Sequence, residues 1–265
     1  MYKRLFATAS LLALAPLAQA SVSITSPEFT YTQNFDTLTT ATTAQAWANN
    51  STLPGWSLFV SNGSAAPTLL GGSGSGNAGS FYSFGAAGSS DRALGSLASG
   101  GTYFGSPATG AVAGWVAVAF TNNTGGEIDF FNFRYEGEQW RNGGNTAAQS
   151  LSVEFGFGDT FATTVWLPTP AAVGFTSPIT GATAAAVDGN TAGLVQNLGA
   201  GFSNMNWAPG ATFWVRFADL NDAGNDHGLA LDNFSLTVTA VPEPGTVALW
   251  LAGLATIGFV ARRRG

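Results

Sequence analysis

The chain contains no cysteine. That excludes a disulfide framework, a thiol nucleophile and any zinc–thiolate site. It has one histidine, His227, so a histidine-rich metal site is excluded as well. A Ser-His-Asp arrangement would have to use His227, and no G-x-S-x-G elbow aims a serine at it. The surrounding Asn225-Asp226-His227-Gly228 reads as a polar turn. Charge is scarce, at 9% of residues. Between residues 21 and 240 the only basic residues are Arg92, Arg134, Arg141 and Arg216, against fourteen acids, a net charge near −10. Nucleic-acid binding needs basic surface to displace counterions, so that function class is excluded. The stretch Gly71-Gly72-Ser73-Gly74-Ser75-Gly76 lacks the Lys-Ser/Thr of a phosphate-binding loop and reads as a flexible loop. No body segment carries an amphipathic helical stripe. Ala182–Ala186 is the one stretch that reads as a short turn of helix.

Aromatic residues are plentiful, at 12%, which argues against disorder. They fall in period-2 patterns. Phe29 to Phe35 alternates, Trp56 to Val60 is a short apolar run, and Phe81, Tyr82 and Phe84 follow a Gly/Ser loop. Val112 to Phe120 is nearly continuous and reads as a strand buried on both faces. Phe131, Phe133 and Tyr135 share one face of the next strand. Leu151, Val153, Phe155 and Phe157 then alternate, as do Phe213, Val215 and Phe217. The last strand is Leu229 to Thr239. Turn sequences such as Asn122 to Gly126, Arg141 to Asn145 and Asn221 to Gly228 separate these runs. The expected fold is all-β: an antiparallel, jelly-roll-like β-sandwich over residues 21–240.

The two ends differ from the body. Lys3-Arg4, the apolar run Leu5 to Leu17 and Ala18-Gln19-Ala20 have the form of a secretory signal peptide, cut after Ala20 by signal peptidase. Residues 241–265 have three parts: Val241-Pro242-Glu243-Pro244, the uncharged run Thr246 to Ala261, and Arg262-Arg263-Arg264. Sixteen helical residues span roughly 24 Å, and snorkelling arginines can cover the shortfall against a ~30 Å hydrocarbon core. The arginines hold the C-terminus of a single transmembrane helix on the cytoplasmic side, which leaves the body outside.

This tripartite tail resembles the PEP-CTERM sorting signal. The resemblance implies recognition by an exosortase in the inner membrane of a Gram-negative bacterium. It also implies transient membrane association, processing near Pro242-Glu243-Pro244 and delivery to the cell surface. Proteins with this signal commonly accompany exopolysaccharide, biofilm or floc formation. In the body, Asn34-Phe35-Asp36, Asp91-Arg92-Ala93-Leu94-Gly95, Tyr135 to Trp140, Ala208 to Trp214 and Gly228 to Phe234 resemble a domain found in such proteins and MAM-type jelly rolls. That likeness implies neighbouring first and last strands whose acids can hold a structural cation, and it carries no catalytic residues.

Three chemistries suit the residues present. The first is a structural calcium site, for which a cysteine-free exported domain has a use. It would lie at Asp36 and Asp232, or in the loop carrying Asp219, Asn221, Asp222, Asn225 and Asp226. The second is sugar stacking, at Trp140 with Gln139, and at Trp214. The third is glycoside hydrolysis by Glu136 and Glu138, which an extended strand places roughly 7 Å apart. Glu127-Ile128-Asp129 resembles the start of a glucanase strand, but Phe131 and Asn132 stand where the next acid belongs. The leading expectation is a non-enzymatic, structural or adhesive matrix protein associated with extracellular polysaccharide. A secreted hydrolase using Glu136 and Glu138 is the alternative.

Overall fold

Alternating apolar residues make strands with one buried face, and two such faces closed on each other make the core. The computed structural model describes residues 21–99 and 101–240. In chain order the strands are Val22–Ile24 (β1), Glu28–Gln33 (β2), Gln45–Ala46 (β3), Trp56–Val60 (β4), Thr68–Gly72 (β5), Ser80–Phe84 (β6), Ala93–Leu97 (β7) and Val112–Asn122 (β8). They continue with Ile128–Asn142 (β9), Ser150–Phe157 (β10), Val165–Pro168 (β11), Phe175–Thr176 (β12), Ala185–Ala186 (β13), Leu194–Phe202 (β14), Thr212–Leu220 (β15) and Gly228–Ala240 (β16). The described residues contain two single-turn 3-10 helices and no α-helix. The signal segment 1–20 and the apolar run Thr246–Ala261 lie outside the described residues.

The first sheet has the order β1-β8-β15-β10-β11, with β4 beside β8 and β12 beside β10. The second has the order β13-β9-β16-β7-β6-β5-β3, with β14 beside β9 and β2 beside β16. From β7 onward the long strands β7, β8, β9, β10, β14, β15 and β16 alternate between the second and first sheets. Phe131, Phe133 and Tyr135 of β9 face Phe155, Phe213 and Phe217 of the first sheet, with ring centroids 4.4 Å apart for Phe131–Phe213 and 4.9 Å for Tyr135–Phe217. The continuous apolar run of β8 is explained by its place. It is a central strand whose outer face lies beneath Phe59, Phe161 and Trp214.

Four expectations need correction. The sheets are mixed, because β1 pairs with β8 and β5 with β6 in parallel. The second of these pairs needs the chain to travel back along β6 through residues 73–79. Seven extended residues cover at most roughly 25 Å, enough to return along a five-residue strand. The Gly71–Gly76 stretch is therefore no free loop: Gly71 and Gly72 belong to β5, and Gly74 packs against the Trp140 backbone. Ala185 and Ala186 are an edge strand paired with Asn142 and Arg141, not a helical turn. Strand β2 ends at Gln33, and Phe35, at φ 56°, turns into the core.

Candidate functional site

The second sheet's outer face carries the chemistry. Glu136 and Glu138 lie two apart on β9 and so point the same way. Asp232 on β16 stands opposite Glu136 in the β9–β16 ladder. A register shift follows, between Asp232 and Ser235, where Asn233 takes φ 47°. It changes which residues point inward. Leu229 and Leu231 enter the core before it, and Phe234, Leu236 and Val238 after it. Asp232 and its neighbour Asn233 are thereby both left on the outer face, the kind of re-aiming that β-bulges produce. Asn233 donates its backbone N–H to Asp232 Oδ1 (2.6 Å) and its side-chain amide to Glu136 Oε2 (2.7 Å). Gln196 donates to Glu136 Oε1 at 2.8 Å.

The result is a group of three carboxylates, Glu136, Glu138 and Asp232, each offering one oxygen within 4.8 Å of the others. Glu138 and Asp232 are each only 2% exposed. Trp140 Nε1 donates to Glu138 Oε2 at 2.7 Å. Burial pushes the Glu138 carboxyl up to about 7, against the Trp140 hydrogen bond and with help from the charges of Asp91, Glu136 and Asp188. Burial likewise pushes Asp232 up to about 8, opposed by the Asn233 N–H and reinforced by Glu138, Asp91 and Asp36. Three oxygen donors converging without nitrogen or sulfur suit a hard cation.

The sequence placed these acids in two separate proposals, and the fold joins them. Asp36 is not one of the three. It is exposed, its Oδ2 takes the Asn34 amide (2.6 Å) and its Oδ1 the Arg92 N–H (3.1 Å). First and last strands are indeed neighbours, but the β2–β16 ladder begins only at Phe234↔Gln33, beyond the bulge. Asp232 therefore looks across to β9. The spacing of roughly 7 Å expected along the strand for Glu136 and Glu138 is not that of their carboxylates, which bring oxygens within 4.8 Å of each other and of Asp232.

Residues of the alternative loop do not converge. Asp219 is buried beneath the sheet and its Oδ2 accepts from Ser96 Oγ at 2.6 Å. Asn221 donates to the Pro107 carbonyl and Asp226 Oδ1 accepts the Asp222 N–H at 2.8 Å. Asp222 itself is half-buried, and Asn225 gives its carbonyl to Asn145 and Gln149. His227 is fully buried, not part of an open turn, and its Nδ1 accepts the Gly143 N–H at 2.9 Å. Desolvation pushes Asp226 up to about 7. An acid with a raised native pKa favours the folded state while protonated, and that advantage is lost as pH climbs from about 4 through 7. Asp226→Asn keeps the oxygen that caps the loop and has no proton to lose. Its melting temperature should match wild type near pH 4 and exceed it by several degrees near pH 8. A gap that does not change with pH counts against this assignment.

The sugar-stacking expectation also fails for its named residues. Trp140 lies parallel to Phe84 and Gly189 packs on its indole, where a Cβ would overlap the ring. Trp214 is 1% exposed beneath Phe161. Gln139 is fully buried and staples the Ile179 backbone, donating to its carbonyl and accepting from its N–H, both at 2.8 Å. What the sequence missed is Trp166, half-buried on edge strand β11. It is stacked by Arg216, which lies 3.9 Å from its ring centroid and pairs with Glu154 at 2.7 Å.

Strand β16 runs to Ala240, and there a second feature begins: a family model for the PEP-CTERM protein-sorting motif matches residues 240–264. The chain carries a PEP-CTERM motif. It is an exported, membrane-transited protein sorted to the cell surface by an exosortase. The residues of the motif, with Pro242, Glu243, Pro244 and the cluster Arg262, Arg263 and Arg264, fall within the match but outside the described residues. No curated protein matches the chain, so the MAM-type likeness of the body gains no support beyond the sandwich itself.

Proposed function

We propose that the body of this PEP-CTERM protein is a non-enzymatic, structural or adhesive domain that works against extracellular polysaccharide in a surface matrix or biofilm of a Gram-negative bacterium. The observation that carries the reading is the enclosure of Glu138. A glycosidase needs both carboxyl groups to reach the scissile bond. Here one of the two is 2% exposed, bound to Trp140 and grouped with a third acid. That arrangement holds strands together better than it meets a substrate. The half-buried Trp166, stacked by Arg216 on edge strand β11, is a more suitable sugar contact than the buried tryptophans.

A single incubation tests the proposal. The full chain, purified in detergent, is mixed with a panel of insoluble polysaccharides, and both co-sedimentation and released reducing sugar are measured. Co-sedimentation without sugar release is expected. Sugar release that disappears in Glu136→Gln or Glu138→Gln would overturn the proposal in favour of a hydrolase.

A further inference from the structure

Buried charge needs a partner. Glu138 and Asp232 are both 98% enclosed, and each keeps one carboxylate oxygen, Oε1 and Oδ2, that no described donor reaches. Each of the two residues offers one carboxylate oxygen to the 4.8 Å group with Glu136. Among the described residues no basic side chain answers them. Arg92, in the loop beside Asp36, turns its guanidinium to Ser83 Oγ (2.9 Å) and the Ser83 carbonyl. Arg141 is committed to the Gly74 and Ser75 carbonyls, and Arg134 to the Phe133 carbonyl. The only ion pair among the described residues is Arg216–Glu154, on the other sheet.

We infer that Glu136, Glu138 and Asp232 bind a calcium ion after export, and that this ion clamps the bulge of β16 to β9. The donor set selects the class. It is all oxygen, without the imidazole or thiolate that zinc or copper would favour. Three carboxylates offer up to six oxygens at variable angles, which suits calcium better than the rigid octahedron of magnesium. The ion occupies the step where the β9–β16 register changes, the point at which backbone pairing is interrupted. It therefore replaces ladder bonds that the bulge removes. The timing rests on the exported reading. Extracellular calcium modules bind at roughly 10⁻⁴–10⁻³ M, so such a site stays empty in a cytoplasm poor in calcium and fills outside.

Calorimetric titration of the full chain in detergent with calcium, and melting in calcium or EGTA, test the inference. Calcium at a hundredfold excess over its Kd should raise the melting temperature by about 5–10 °C. Glu136→Gln and Asp232→Asn should fold and lose that rise. Asp36→Asn and Asp222→Asn should keep it. Equal melting in calcium and EGTA with no titration heat would overturn the inference, as would loss of the response in Asp36→Asn alone. Should Asp232→Asn not fold, the half-buried Glu136→Gln still decides the matter. A submicromolar Kd would overturn the link to export while leaving the surface-matrix proposal to its own polysaccharide test.

Discussion

Phe234→Ala should destabilise the protein by about 3–5 kcal/mol and lower its melting temperature by about 10 °C or more. Phe234 is fully buried on β16 and touches five other rings. Its centroid lies 5.3 Å from Trp56, 6.3 Å from Phe133 and from Phe217, and 6.4 Å from Tyr31 and from Phe120. Those rings come from β2, β4, β8, β9 and β15, so a cavity here loosens both layers at once. Aromatic pairs also contribute beyond their buried area, by about 0.5–1.5 kcal/mol each. Thermal melting of the variant checks the value. A loss below about 1 kcal/mol would mean that the surrounding rings collapse into the space, against the interlocked packing described above.

Gly74→Ala should cost about 3 kcal/mol or more, while Gly76→Ala should be neutral or slightly stabilising. The two glycines are two residues apart in one Gly/Ser stretch. Gly74 has φ 78°, and a Cβ there would overlap the Trp140 carbonyl oxygen, a backbone atom that cannot swing away. At Gly76 the nearest atom to a new Cβ is the Tyr82 hydroxyl at 3.8 Å, an ordinary contact. Replacing an unstrained glycine restricts the unfolded chain and stabilises by about 0.4–1 kcal/mol; replacing a left-handed one costs more than that. Paired denaturant titrations give both numbers. Equal effects at the two positions would restore the view of this stretch as a free loop.

That same stretch shows where sequence patterns stop. Alternation located every long strand that buries a continuous aromatic face, because Phe131, Phe133 and Tyr135 or Phe213, Val215 and Phe217 have no other way to leave water. It failed for β14, Leu194 to Phe202, whose residues are only partly buried and whose glycines blur the period. It failed for β5 because glycine has no side chain to show a period. Membership in the carboxylate group was half legible. Glu136 and Glu138 were visible as an i, i+2 pair, and Asp232 as an acid in the last strand. Their meeting depends on strand order, which no local pattern contains. One signal was nonetheless present. The apolar residues of β16 keep odd positions at Leu229 and Leu231, then even positions at Phe234, Leu236 and Val238. A strand that changes phase in mid-course must bulge, and Asp232 and Asn233 sit at the change. Trp140 and Trp214 misled for the opposite reason: a tryptophan among polar neighbours reads the same whether a loop covers it or not.

The position of β16 has a mechanical consequence. It is an interior strand, hydrogen-bonded to β9 on one edge and to β7 and then β2 on the other, and it is also the strand that runs directly into the sorting motif. Tension applied through the residues that follow β16 therefore pulls it along its own axis. An edge strand pulled lengthwise has bonds on one edge only to resist. An interior strand pulled lengthwise must slide, and its bonds on both edges resist together. The bulge at Asp232 acts as a notch against that sliding, since Phe234 would have to leave its ring of aromatic neighbours before the register could slip. A strand pulled from that end is thus loaded in shear, the direction in which a sheet is hardest to pull apart.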